Sequence, residues 1–584
     1  MDPEIQQRQP VSHELAQSRP DFINAILASR GIIEESQLCF GLNQLPDPWL
    51  LKDIDLAVER LLTARKQQQT ISISGDFDAD GATSSALLQL ALEAFGFQFV
   101  QSFVPNRFDF GYGLTKESID ALLWQKPALI ITVDNGISSV KGVEYANQLG
   151  IDVIVTDHHL PGEQLPAATA IINPNQKECL FPAKNSAGVA VVFYLMVALR
   201  KKLLAVGLLE KNANVNLAQY LDLVALGTVA DVVPLDRFNQ ILVTQGLKRI
   251  RAGQCREGIK SLVKLAKRRL GSLVAQDLGF SVAPRLNAAG RLDDISIGIM
   301  LLTTTSPTMA EELALVLDEF NRERKSIEKN MQQEAVKVLQ NLDERLKSPT
   351  LDSATMARGI CLYQDDWHQG VVGLVASRLK SQFHRPAIIF APDLQDRECL
   401  KGSARSIEGL HIRDILCEIA SRSPGLILKF GGHAMAAGLS IKHKDLADFN
   451  RCFQSILDQY PTALFKEYYL TDGQLAVEHC NLYNAKIIGD LLPWGQSLPE
   501  PIFEGYFDLI SHKVLTGGHI KLKLSYIDSP LLVEAIWFNA DVDALEGLSH
   551  VCFLFKLKAN EYLQKTSVQL QIINLLGENR YSKK

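Results

Sequence analysis

Nine cysteines are scattered through 584 residues without one CxxC pair, so neither a zinc knuckle nor a disulfide framework is expected. No apolar run reaches the roughly 18 residues of a membrane-spanning helix. The longest, Ala187 to Leu199, reads as a buried helix. The N-terminus, MDPEIQQRQP, lacks the basic stretch and apolar core of a signal peptide. Charge of one sign is also scarce. A net charge of −6 with 22% charged residues excludes supercharged and disordered classes. No GxGxxG follows the first strand-like run, which removes a dinucleotide-binding Rossmann protein. No internal repeat or low-complexity segment is evident, and nothing indicates an oligomer. These absences leave a cytoplasmic, monomeric chain without membrane contact. At roughly 150 residues per domain it is long enough for about four units.

From about residue 70 to 160, short β-branched runs alternate with helical patterns. The runs are Ile71 to Ser74, Leu129 to Val133 and Ile151 to Thr156; Thr83 to Phe95 and Val140 to Leu149 read as helices. Strands that are apolar on both faces and alternate with helices predict a parallel α/β sheet. Ligands of such sheets bind outside the carboxyl ends of the strands.

Residues 306–345 read as one long helix. Ser306-Pro307 supplies a start, Thr308 and Glu311 have capping-box spacing, and no Pro or Gly interrupts the rest. Leu313, Leu317, Phe320, Ile327, Met331 and Val338 form a narrow stripe on an otherwise charged rod of about 45 Å or more, the pattern of a connector between domains. A mixed α/β region follows to about 460. The last segment, with a hairpin at Thr516-Gly517-Gly518-His519 and the alternating run Ile520 to Tyr526, reads as a small β-barrel or sandwich. The run Lys248 to Arg269 is densely basic, with Glu257 its only acid; it is either a solvated helix face or a wall that attracts phosphates.

Each of the first three strands ends in acids: Asp76, Asp78 and Asp80 after the first, Asp134 after the second, Asp157-His158-His159 after the third. Converging on one sheet edge, these carboxylates would repel strongly unless cations neutralise them. The loop Asp76 to Gly81 lacks the bidentate Glu that closes a calcium loop. Oxygen donors with one or two imidazoles and no thiolate suit Mn²⁺ or Mg²⁺.

The segments GDFDADG, VDNG, DHH and GTVADVVPL resemble the motifs of the DHH phosphoesterase superfamily, and within it the RecJ exonucleases. Further matching segments are PNRFDFGYGL (105–114), PRLNAAGRL (284–292), WHQGVVGLVASRL (367–379), KGSARSIEGLHIRD (401–414) and FGGHAMAAGL (430–439), so the likeness runs from about 40 to 575. It implies a DHH catalytic domain with an N-terminal extension over 1–305, the connecting helix over 306–345, a DHHA1 domain over 346–460 and an OB-fold over 461–584. It also implies a two-ion Mn²⁺ or Mg²⁺ centre. There Asp78 and Asp80 lean toward different ions, Asp134 bridges, and His158 and Asp231 complete the coordination of the second ion. Asp76 and Asp157 would ligate or orient ligands, and His159 would face the scissile phosphate. Many relatives carry His four residues before the equivalent of Asp78; here Ser74 stands there, which implies a weaker first ion.

Substrate contacts are implied at Arg107, Ser403 and Arg405 around a 5′-phosphate, at Gly432 and His433 in a glycine turn, and at Arg285 and Asn287 on the reacting strand. The activity implied is 5′→3′ hydrolysis of single-stranded DNA to 5′-mononucleotides in repair, mismatch excision and recombination. Single-strand binding protein and a RecQ-type helicase are the implied partners. In the terminal barrel Trp494, Tyr506, Trp537 and Phe538 are either stacking platforms or core. Two other readings compete: a phosphoesterase of small substrates, against which the extra β domain argues, and an inactive scaffold, against which the filled ligand positions argue.

Overall fold

The computed structural model describes residues 4–104, 110–209, 215–342, 357–527, 529–540, 543–562 and 565–576. Arg107 lies outside these residues. The first lobe is built on a five-stranded sheet: β2 (Ile71–Gly75), β3 (Val100–Phe103), β4 (Leu129–Val133), β5 (Asp152–Thr156) and β6 (Ala170–Ile172), following β1 (Glu4–Gln7) in the chain. Its order is β3-β2-β4-β5-β6 and every pairing is parallel. β2 and β4 are buried at every position; β4 is a near-continuous apolar run, whereas β2 buries Ser72 and Ser74 between its isoleucines.

The long helix spans Pro307–Leu342. Its start differs from the capping-box expectation. Ser306 Oγ accepts from Met309 N at 3.3 Å with Pro307 as first helical residue, whereas Glu311 turns outward to Lys264 at 2.7 Å. The apolar stripe serves two cores in succession. Ala310, Ala314 and Leu317 pack into the first lobe, while Met331, Ala335 and Leu339 pack with Ile360, Trp367 and Val371 of the second. Buried carboxylates in its middle fasten it to each lobe: Asp318 meets Arg285 at 2.8 Å, and Glu328 meets Arg378 at 2.7 Å as well as Arg324 of the same helix at 2.5 Å.

The second lobe is a mixed sheet of β7 (Ile360–Tyr363), β8 (Ala387–Pro392), β9 (Cys399–Arg405), β10 (Lys429–Gly432) and β11 (Ala436–Lys442), in the order β10-β11-β9-β8-β7. After β12 (Tyr468–Thr471), which pairs with β1, the strands β13 (Phe503–Leu515), β14 (His519–Tyr526), β15 (Leu532–Trp537), β16 (His550–Tyr562) and β17 (Lys565–Leu575) close a barrel. The barrel interior is continuous with the core of the first lobe. The N-terminal segment is pinned near the barrel by a buried bidentate pair, Arg30 to Asp472, at 2.6 and 3.0 Å.

Two sequence readings resolve toward structure rather than binding. The basic run is largely consumed by distant acids: Arg251 pairs with Asp490, Arg256 with Asp222, Lys264 with Glu311, Arg268 with Asp277 and Arg269 with Glu561. It is therefore a bracing element more than a free positive wall. In the barrel region Trp494 and Trp537 are core, and Trp494 Nε1 donates to the Ile488 carbonyl at 2.7 Å. Phe538 alone of the four aromatics is exposed.

Candidate metal centre

The three acid-tipped strands end side by side because β2, β4 and β5 are adjacent and parallel. Each tip is shaped by local chemistry. Asp78 caps the helix Ala79–Ala94, its Oδ1 accepting from Asp80 N at 2.9 Å and Gly81 N at 3.1 Å. Asp134 follows β4 with a left-handed backbone, φ +62, in the Asp-Asn-Gly turn. Asn135 Nδ2 braces that turn by donating to the carbonyls of Ser74 at 3.2 Å and Val133 at 3.0 Å. Asp157 takes backbone N–H groups of His158 at 2.7 Å, His159 at 3.0 Å and Ile137 at 2.9 Å, which ties the β4 and β5 tips together.

Donor atoms then fall into overlapping sets, each mutually within 4.8 Å: Asp76, Asp78 and Asp134; Asp80, His158 and Asp231; Asp134, His158 and His159. His158 Nε2 stands 3.1 Å from Asp134 Oδ1 and 3.5 Å from Asp231 Oδ2. Both His158 Nε2 and Asp134 Oδ1 are buried without a hydrogen-bond partner. A hydrogen bond to the Ser186 backbone also engages the His158 ring. With Nε2 unbonded, that contact falls to Nδ1 and leaves the Nε2 lone pair pointing into the cluster. Orphaned buried donors in an oxygen-rich set fit a divalent cation.

Electrostatics report the same strain. Burial, then the charge of Asp78, raises Asp80 to about 7. Burial, then Asp80, pushes Asp134 and Asp231 well above the ordinary carboxylate range. Burial, then His159, lowers His158 to about 4, so it is neutral and able to ligate. His159 goes the other way: burial opposes its charge, but the bond from Nδ1 to Asp157 Oδ1 at 2.8 Å raises it to about 9.

Glycines let the helices close on these carboxylates. A Cβ on Gly188 would stand 2.7 Å from Asp134 Oδ1, and one on Gly227 would stand 2.7 Å from Asp80 Oδ1. The N-terminus of the helix Gly188–Ala205 also donates to Asp80, from Gly188 N at 2.6 Å and Val189 N at 2.9 Å. Asn135, Gly188 and Gly227 were missed by the sequence reading. The signal available was the AGVAV start of an apolar helix and the Gly of GTVAD.

The other expected residues are distributed as follows. His433 of the second lobe lies with its ring 6.3 Å from His159, so both lobes meet over the cluster. Gly432 has φ +144, and a Cβ there would strike the backbone of Ala437. Ser403 and Arg405 share β9, with Arg405 Nη1 donating to Ser403 Oγ at 3.0 Å. Gly373, in the first turn of the helix Val372–Phe383, faces this pair: its Cβ would lie 2.9 Å from Ser403 Oγ and 3.0 Å from Arg405 Nη2. Arg285 is held by Asp318 and the Ser281 carbonyl, and Asn287 Oδ1 accepts from Ala79 N at 2.7 Å. Both are thus engaged in holding the motif loop and the long helix. Ser74 is buried with an unbonded hydroxyl.

Residues 70–228 match the DHH family N-terminal domain, 356–459 the DHHA1 domain and 471–574 the RecJ OB domain. The single-stranded-DNA-specific exonuclease RecJ of Dickeya dadantii is 46% identical over 98% of this chain and 99% of its own. The Escherichia coli protein of the same name is 46% identical over 96% and 97%. The crystal structure of RecJ from Thermus thermophilus in complex with Mn²⁺ superposes with a TM-score of 0.77 at 26% identity, covering 97% of this chain and 79% of that one. An exonuclease RecJ bound to manganese gives 0.55 at 31% identity over 70% and 96%. Among the described residues no helix is long and apolar enough to cross a membrane.

Proposed function

The chain belongs to the RecJ family, and from that membership and the site we propose that it is a metal-dependent exonuclease that degrades single-stranded DNA from the 5′ end to mononucleotides. The observation that carries this reading is the buried, unbonded pair Asp134 Oδ1 and His158 Nε2 amid further carboxylates, open toward a second lobe that brings His433.

Asp76 and Asp78 would hold one Mn²⁺ or Mg²⁺ ion and Asp80, His158 and Asp231 the other, with Asp134, which falls in a set with Asp76 and Asp78 and in another with His158, available to both. Such ions, when bound, polarise the phosphodiester and lower the pKa of an attacking water. The protein's own residues do the rest. Asp157 fixes the orientation of the His159 ring and keeps it protonated near neutrality, so the imidazolium can hydrogen-bond the scissile phosphate and offset its charge. Arg405, Ser403 and the first turn of the helix Val372–Phe383 supply donors for a terminal phosphate. With that phosphate anchored in one lobe and the carboxylates in the other, cleavage begins at the 5′ end. Arg285 and Asn287 act by positioning, since each is bonded to the frame around the cluster. Family membership further suggests repair and recombination as the setting, with single-strand binding protein and a RecQ-type helicase as partners.

The test is an assay on 3′-labelled, 5′-phosphorylated single-stranded DNA with Mn²⁺ or Mg²⁺, an EDTA control and a blunt duplex alongside. A ladder shortening from the 5′ end, absent in EDTA and on the duplex, is expected. DNA binding without cleavage in either metal would favour the inactive scaffold, and cleavage of only very short oligonucleotides the small-substrate phosphoesterase.

A further inference from the structure

Phe280 is 83% exposed, more than any other large apolar side chain among the described residues. It lies in the π-helical stretch Leu278–Val282 that leads into the helix Ala283–Leu292. Such widened turns recur at functional sites. The stretch lies against the end of the helix Leu221–Ala230, which delivers Asp231: a Cβ on Gly279 would stand 3.2 Å from Val229 Cγ1. Val232, the residue after Asp231, is 61% exposed and has φ +60. A β-branched residue disfavours that left-handed backbone, so the conformation is imposed by its surroundings.

The residues that follow Phe280 are anchored. Arg285 bonds the Ser281 carbonyl and Asp318, and Asn287 accepts from Ala79 N. Phe280 is therefore held in solvent at an anchored helix start that packs against the helix delivering Asp231, and the exposed Val232 directly follows that carboxylate. Burial within the chain does not explain them.

We propose that Phe280, on the turn packed against the helix that ends at Asp231, is a stacking platform for an unpaired base of the strand whose phosphate reaches the metal centre. This rests on the exonuclease reading above and deepens it. An aromatic face accepts any base, so it binds without sequence preference. A base inside a duplex is already stacked on both faces and cannot use the platform, which therefore also favours single strands.

The experiment follows steady-state degradation of a 5′-phosphorylated mixed-sequence oligonucleotide by wild type, Phe280→Ala and Phe280→Trp. A parallel series carries one abasic tetrahydrofuran nucleotide moved stepwise from the 5′ end. Phe280→Ala is expected to raise KM about 5- to 100-fold with kcat within about twofold, and Phe280→Trp to restore it. In wild type, one abasic position should raise KM comparably, and Phe280→Ala should be indifferent to that position. Because the side chain is exposed, thermal stability should not change. Unchanged KM in Phe280→Ala, or the full wild-type abasic penalty retained in it at every position, overturns the platform and leaves an apolar partner surface as the alternative. Wild type that degrades no oligonucleotide overturns the exonuclease reading itself, so the two failures are distinguishable.

Discussion

Asp134 Oδ1 and His158 Nε2 face each other at 3.1 Å in the interior, and neither is hydrogen-bonded. Leaving buried polar atoms unsatisfied costs about 1–3 kcal/mol each, and the cluster adds carboxylates that burial and mutual repulsion hold above their ordinary range. Cation binding relieves both penalties.

A pH-dependent metal effect on stability is the consequence. A carboxyl whose folded pKa is raised keeps its proton in the fold when the unfolded chain has lost it. Metal-free protein therefore loses stability as pH rises from the unfolded value near 4 through about 7 for Asp80, with the raised Asp134 and Asp231 acting in the same direction. A cation replaces those protons. Thermal melts of EDTA-treated protein should show that Mn²⁺ raises Tm by several degrees, and by more at about pH 8 than at about pH 6. A shift equal at both pH values would count against the ligand set.

Gly188 has a steric role that substitution exposes. In Gly188→Ala the new Cβ would press on Asp134 Oδ1 and Cβ, at 2.7 and 2.8 Å, and push the carboxylate aside. Displacements of that order cost about 100-fold in rate. Metal titration by calorimetry should show weakened binding in the same variant; activity within a factor of about two of wild type would be inconsistent with the clearance argument.

Asp157 controls His159. Replacing it with Asn removes the charge that raises His159 to about 9 against its burial. The rate supported by the protonated imidazole should fall above about pH 9 in wild type. In Asp157→Asn that fall should begin closer to neutrality. An unmoved basic limb in the kcat/KM profile would remove His159 from the role assigned to it.

Arg405 is tested by charge reversal. Arg405→Glu should raise KM for 5′-phosphorylated ends and much less for 5′-hydroxyl ends. Equal loss on both would refute the phosphate anchor.

The acid-tipped strands were legible because a buried parallel strand is a short apolar run and its ligand edge is always the carboxyl end. The stripe from Leu317 to Met331 announced the connector for a similar reason, since its periodicity is local. Other features depend on residues far away in the chain. The basic run at 248–269 could be either a solvated face or a phosphate-attracting wall because its partners Asp490, Glu311 and Glu561 are not sequence neighbours. Arg285 looked available because Asp318 sits on another helix. Gly188 and Gly227 matter only as clearance, which sequence cannot display until the helices are packed. Trp494 and Trp537 could be core or platform until the barrel closed over them.

The central claim is that Asp134 joins the two ligand sets into one catalytic centre. Its φ of +62 makes Asn the informative replacement, because Asn tolerates a left-handed backbone where Ala would add strain. Single-turnover cleavage of 5′-phosphorylated single-stranded DNA by Asp134→Asn in Mn²⁺ is the direct measurement. The account predicts a loss of about 1,000-fold or more, with DNA binding retained and the metal-free protein at least as stable as wild type. Cleavage near the wild-type rate would contradict it.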